Sequence, residues 1–202
     1  MPLYLGAALG VGADNLLIGY FGFLNKSKGG LVLLDALKQL VEQGTPTHLL
    51  MIGGRQGASD PTNADYAAQV DAFIRRHDLT HRVHWTGFID NPEVSACFND
   101  CDLIALPYAD GASLRRSTLM TALAHGRAIV TTQAQESTPE LAGAIELIPP
   151  DDAKALAGAL LQLWKQPARR QALEQAAGVA AQQFGWEQIA RHTIDFFSEV
   201  NR

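Results

Sequence analysis

Two adjacent arginines carry the clearest chemical signal in this chain of 202 residues. Arg115 and Arg116 follow an Asp110-Gly111 turn signal and a serine, Ser113, and precede an apolar stretch that ends at His125-Gly126. Ser113 suits the N-cap of a helix running to about His125 and stopped by Gly126, with both arginines on its second and third positions. The helix macrodipole is positive at that end, so each cation there costs ~0.3–1 kcal/mol. An anion seated between the arginines and the free amides reverses the sign; two solvated side chains are the alternative. Lys28 lies in the glycine-rich loop Gly22 to Gly30, just before another helix, and is either a point charge for a phosphate or a solvated lysine. That loop lacks the Gly-Lys-Ser/Thr of P-loop proteins and the three-glycine dinucleotide fingerprint. His84 and His125 have no evident Asp or nucleophile partner, and no Ser or Cys sits in a nucleophile elbow. Cys97 and Cys101 share a helical face, where two thiols alone do not complete a zinc site, so they read as small core residues.

The elements that must position these residues are legible in the apolar pattern. Strands are expected at Leu16 to Phe21, His48 to Ile52, Val83 to Thr86, Leu103 to Leu106, Ala128 to Thr131 and Ile145 to Ile148. Helices fall between them: Leu31 to about Gln43, a stripe marked by Tyr66, Val70, Phe73 and Ile74, Pro92 to Asn99, and the arginine helix. Strands one, two and four are apolar throughout, the mark of a parallel sheet covered on both faces. The expected class is therefore α/β, a three-layer sandwich with a mainly parallel sheet of about six strands and a helical C-terminus. Ligands of such sheets bind beyond the carboxyl ends of the strands where the order reverses, and the loops at 22–30 and 107–113 both leave carboxyl ends. After Pro149-Pro150 three helices follow, the last carrying Ile189, Phe196, Phe197 and Val200.

Composition narrows the classes further. At 47% hydrophobic and 18% charged residues the chain reads as globular, with residues 1–15 a lead-in or linker remnant and 16–202 one domain. A net charge of −5 gives no support for nucleic acid as partner. No apolar run approaches the ~18–20 residues of a transmembrane helix, and the start does not read as a signal peptide, so a cytoplasmic protein is expected.

The ordered set of motifs resembles the C-terminal, donor-binding domain of the retaining group 1 glycosyltransferases of the GT-B fold. The matching pieces are Gly19-Tyr20-Phe21-Gly22-Phe23-Leu24 with Lys28-Gly29, Leu49-Leu50-Met51-Ile52-Gly53-Gly54, and Arg82-Val83-His84-Trp85-Thr86-Gly87-Phe88. Cys101 to Pro107, Ala122 to Thr132 and, weakly, Phe184-Gly185-Trp186 complete it, over roughly residues 16–190. The resemblance implies a Rossmann-like half of a GT-B enzyme whose partner half, the N-terminal acceptor domain of the same protein, is missing. The ligand implied is a nucleotide-diphosphate sugar, a substrate rather than a cofactor, and neither cofactor nor metal is expected. Lys28, Arg115 and Arg116 are the implied catalytic residues, stabilising the diphosphate leaving group as electrostatic catalysts. Donor-binding positions are Gly22, Phe23, Lys28, Gly87 and Phe88, with Asp110, Gly111, Ser113, Leu114, Arg115, Arg116 and Thr121.

Departures from the family pattern matter equally. Phe23 stands where the family has an Arg on the diphosphate. The two glutamates that face sugar and ribose fall, by spacing, on Ser113 and Thr121, with Asp110-Gly111 as an alternative for the first. A divergent branch shares Asp-Gly-x-Ser-x-Arg-Arg, so the arginines are read as replacing the lost diphosphate charge. The competing expectation is a non-catalytic, degenerate nucleotide- or protein-binding module of the same fold. Without its acceptor half the chain is expected to transfer no sugar, and the last helix to leave apolar residues exposed for self-association.

Overall fold

The computed structural model describes residues 9–54, 62–134, 136 and 138–200. Six strands, β1 (Leu16–Phe21), β2 (Thr47–Ile52), β3 (Val83–Trp85), β4 (Leu103–Leu106), β5 (Ile129–Thr132) and β6 (Glu146–Ile148), form one sheet. Its order is β3-β2-β1-β4-β5-β6, and every pairing is parallel. Seven helices accompany it: α1 (Gly30–Glu42), α2 (Thr62–Arg76), α3 (Asn91–Asp100), α4 (Ser117–Ala124), α5 (Ala153–Lys165), α6 (Pro167–Gln182) and α7 (Trp186–Val200). The expected α/β sandwich is the observed one.

Both sheet faces are buried, which is why the strands read as continuous apolar runs. Alternation along β1 divides the core. Leu16, Ile18 and Tyr20 face a cluster with Leu33, Leu37 and Leu40 of α1, Val70 of α2 and Leu156, Leu160 and Leu163 of α5. Leu17 faces the other cluster, with Leu50, Ile104, Phe98 of α3, Leu119 and Leu123 of α4 and Ala177 of α6. Each such leucine, fully buried, contributes about 1.5–3 kcal/mol. Register between β1 and β4 is pinned by Asp102, whose carboxylate accepts from Leu17 N at 2.9 Å while its own N–H donates to the Leu17 carbonyl. Val11, from the expected lead-in, is buried in the second cluster. Among the described residues no helix is long and apolar enough to cross a membrane.

One expectation needs correction. The arginine helix does not start at Ser113: α4 begins at Ser117, and extended Arg116 is its N-cap without a side-chain cap bond. Residues 111–113 are instead tied to the adjacent strand, with Ala112 N donating to the Thr132 carbonyl at 2.9 Å. At Gly111, φ is +86° and an added Cβ would stand 2.4 Å from Ala134 Cα, so the chain hugs that segment rather than coiling. The Ser113 hydroxyl accepts from Arg115 N at 3.3 Å inside a turn closed by Arg116 N onto the Ser113 carbonyl. The serine therefore caps a turn, and neither arginine occupies a second or third helical position. At the C-terminus the expected exposure is observed: α5 and α6 bury leucines and alanines in the core, whereas α7 buries no residue and leaves Phe196, Phe197 and Val200 exposed.

Candidate functional site

Strand order reverses between β1 and β4, and the two loops leaving their carboxyl ends meet directly. Ala109 N donates to the Ser27 carbonyl at 2.9 Å. Gly29, at φ +68°, passes so close to the other loop that a Cβ there would stand 1.9 Å from the Pro107 carbonyl oxygen. Asn25 caps the 3-10 turn Lys26–Lys28 by accepting from Lys28 N at 3.0 Å, and this fixes Lys28 over the end of β1. The Lys28 ammonium lies 2.8 Å from where a Gly22 Cβ would sit, and the Thr118 methyl 3.1 Å from the same point. A side chain at position 22 would take the lysine's place.

Arg116 completes the charge cluster. Its guanidinium lies over the Tyr108 ring, 4.1 Å from the centroid, and pairs with the Asp110 carboxylate. Burial, and after it the Arg116 charge, lower the Lys28 pKa from its ordinary value. Like charges have thus been brought together, with exposed Asp110 as counter-ion on one side only. The Tyr108 hydroxyl bonds Thr118 Oγ1 at 2.6 Å, and burial pushes its pKa up to about 12.

Beside this cluster a cleft of about 520 Å³ opens between residues 109–116 and the segment after β5. Asp110, Gly111, Ser113, Arg115 and Arg116 line it from one side, and Gln133, Glu136 and Thr138 from the other. Gly22, Lys28 and Arg116 therefore form one group, and the 110–116 residues face a cleft that shares Arg116 with it. Gly87 sits one step along the sheet edge, bridged to Gly53, whose own Cβ position is 3.8 Å from Gly22. Phe88 beyond it is 91% exposed, and Phe23 is 44% exposed. Leu114 packs half-buried against the second core cluster. Thr121 lies one turn into α4, its hydroxyl donating to the Ser117 carbonyl at 2.9 Å, and is not among the cleft-lining residues.

His125, His84 and His48 have structural partners. His125 Nδ1 is 2.8 Å from the Thr121 carbonyl oxygen, Nε2 is 3.0 Å from Ser95 Oγ, and the ring stacks on Phe98. His84 Nε2 is 2.9 Å from His48 Nδ1. Cys97 and Cys101 are buried and free, as core residues are. Sequence reasoning missed Tyr108 and Thr118, and it missed Gln133, Glu136 and Thr138, read only as part of a link between strands. The available signal was position: Tyr108 leaves β4 two residues after its end, where side chains of such sheets meet ligands.

Residues 15–166 match the family described as glycosyl transferases group 1. The chain is 25% identical over 198 residues to D-inositol 3-phosphate glycosyltransferase of Corynebacterium urealyticum, covering 96% of this chain and 45% of that protein. Anabaena HepE, solved in complex with UDP, superposes with a TM-score of 0.81 at 23% identity, over 96% of this chain and 51% of that one. Sucrose-phosphate synthase from Thermosynechococcus elongatus gives 0.80 at 22% identity, over 96% and 48%. The chain thus spans less than half of that curated relative and about half of each solved chain. With this topology and this match, the chain belongs to the group 1 glycosyl transferases, as one Rossmann-like, three-layer domain of the GT-B architecture.

Proposed function

We propose that this domain binds a nucleotide-diphosphate sugar at the strand-order reversal, and that Lys28, Arg115 and Arg116 stabilise the diphosphate that leaves during glycosyl transfer. The observation that carries the reading is the convergence of Lys28 and Arg116 on a glycine-lined strand end. Burial, and after it repulsion between them, lowers the Lys28 pKa, and a dianion turns that repulsion into attraction. Charge-assisted arginine–phosphate bonds are the stronger class of hydrogen bond, and they gain strength as negative charge collects on the leaving oxygen. Support from relatives is that HepE was solved with UDP and with UDP-glucose. Gly87 and Phe88 would border the base, while the 110–116 cleft, with Ser113 where the family has the first of its glutamates, would take the sugar side. Transfer needs the acceptor half of a full-length protein, so the chain alone turns over no donor. A second reading, a degenerate binding module, draws on Thr121, whose hydroxyl is satisfied inside α4 and supplies no carboxylate.

Calorimetry with UDP, ADP and GDP tests the proposal. Lys28→Ala and Arg116→Ala weaken the preferred nucleotide by about tenfold or more, Arg115→Ala by a similar factor, and Lys26→Ala by about twofold or less. Equal affinities across the four variants would overturn the leaving-group role and leave the binding-module reading.

A further inference from the structure

The geometry points to Tyr108 as a positioning residue for the donor diphosphate, its ring the platform that holds the Arg116 guanidinium over the β1–β4 crevice. The inference rests on the donor reading above and adds the device that aims its arginine.

Tyr108 is fixed at both ends. Its N–H donates to the Leu106 carbonyl at 2.9 Å, and its carbonyl accepts from Gly111 N at 3.3 Å and from Thr132 Oγ1 at 2.5 Å. The side chain is wholly buried. A phenylalanine would fill nearly the same space, so the hydroxyl is accounted for by its bond to Thr118 and the ring face by its place under Arg116. Its hydroxyl reaches the first turn of α4 at Thr118, and the Thr118 methyl borders the Gly22–Lys28 contact. One side chain thereby joins the exit of β4, the start of α4 and the lysine loop.

Above this platform the guanidinium is held from two directions. The ring face supports it from below at 4.1 Å, and the Asp110 carboxylate grips one amino group, leaving the rest of the guanidinium edge for a ligand. A free arginine side chain loses much rotamer freedom on binding an anion; one already stacked and paired loses little. Arg115 next to it is exposed, and among the described residues no ring lies under it. The clamp holds Arg116, of the two, where its charge adds to burial in lowering the Lys28 pKa.

The test measures UDP, ADP, GDP and pyrophosphate affinities of Tyr108→Phe and Tyr108→Leu, each alone and with Arg116→Ala. Tyr108→Leu, which lacks the π face, should weaken diphosphate binding by about fivefold to tenfold. Tyr108→Phe, which keeps the ring, should remain within about threefold of wild type. In the Arg116→Ala background Tyr108→Leu should change nothing further, since its whole effect passes through the arginine. A ring-current shift of the Arg116 Nε–H resonance in wild-type protein, kept in Tyr108→Phe, reads the clamp with no ligand and no dependence on the leucine variant folding. Equal affinities of Tyr108→Leu and wild type, or an unshifted Arg116 resonance, would overturn the positioning role alone. Failure of the wild-type chain to bind any of the four probes would overturn the donor reading, and the role of Tyr108 with it.

Discussion

Gly29 is the point at which the two loops of the site touch, and replacing it by alanine separates two costs. The first is conformational: at φ +68° an alanine sits in the left-handed region, worth about 1–2 kcal/mol. The second is steric. An alanine Cβ would lie 1.9 Å from the Pro107 carbonyl oxygen, where ordinary contact starts at 3.4 Å, so the loops must part by about 1.5 Å. That movement stretches the Ala109 N to Ser27 carbonyl bond beyond hydrogen-bond range, a further loss of about 0.5–1.5 kcal/mol. Stiffening of the unfolded chain returns about 0.4–1 kcal/mol. Including strained packing around Pro107, Gly29→Ala should cost about 2–4 kcal/mol in urea denaturation at unchanged m-value. Gly44→Ala is the control, because Gly44 has φ +78° but nothing within 4 Å of its Cβ position, and it should cost about 1 kcal/mol. The same separation shifts Lys28, the preceding residue, so nucleotide-diphosphate affinity should fall in Gly29→Ala and hold in Gly44→Ala. Equal destabilisation by the two substitutions would refute the claim that close loop contact holds the site together.

Other outcomes follow from the charges and the surface. Burial, the Arg82 guanidinium and then His84 hold His48 down at about 4, against 6.5 for the free side chain. The unfolded chain therefore takes up a proton that the folded one refuses, so the melting temperature should decline as pH falls from 6.5 toward 4, and His48→Gln should flatten that limb. Burial and then Arg116 lower the Lys28 pKa, so above that lowered pKa diphosphate binding should take up a proton, and affinity should fall as pH rises through it. Calorimetry in buffers of different ionisation heat reads that proton uptake, and Lys28→Arg should abolish it. On α7, Phe196 is 61% and Val200 65% exposed, so Phe196→Ser and Val200→Ser should alter unfolding free energy by no more than about 0.5 kcal/mol. Sedimentation at rising concentration should show both variants self-associating less than wild type.

Most of the fold could be read from sequence because a parallel sheet between two helical layers imposes simple local demands. β4 and most of β2 must be apolar, and Leu-Ile-Ala-Leu and Leu-Leu-Met-Ile satisfy that without reference to any partner, whereas the buried polar pair Thr47 and His48 that opens β2 is hydrogen-bonded. Pro167 separates α5 from α6, and the stripe Leu156, Leu160, Leu163 names the face that enters the core. The start of α4 was misread for a reason of the opposite kind. Ser113 followed by an apolar helix is a sound local cap signal, but Gly111 and Ala112 are held to the end of β5 by a hydrogen bond across the sheet. A contact between residues twenty positions apart overrode a propensity worth about 1 kcal/mol.

The same distinction governs the site. Lys28 and the arginines were visible because charge beside glycine is unusual enough to register in one dimension. That Arg116 stacks on Tyr108 and acts on Lys28 while Arg115 only lines the cleft depends on which side of a turn each falls, and Ser113, rather than a helix, sets that turn. Moving the helix start by one turn also changes the electrostatic argument. At an N-cap, Arg116 is outside the coil, with its carboxylate and aromatic partners supplied by residues six and eight positions earlier, Asp110 and Tyr108. Macrodipole repulsion is then no longer the main force acting on that cation. Asp110 and Tyr108 hold it instead, and its charge acts on Lys28 in a pairing that runs from the β4 loop to the β1 loop. Substituting Gly29 acts on this pairing through the backbone, substituting Tyr108 acts on it through the arginine, and loss of diphosphate affinity in both would locate the site at the junction of the two loops.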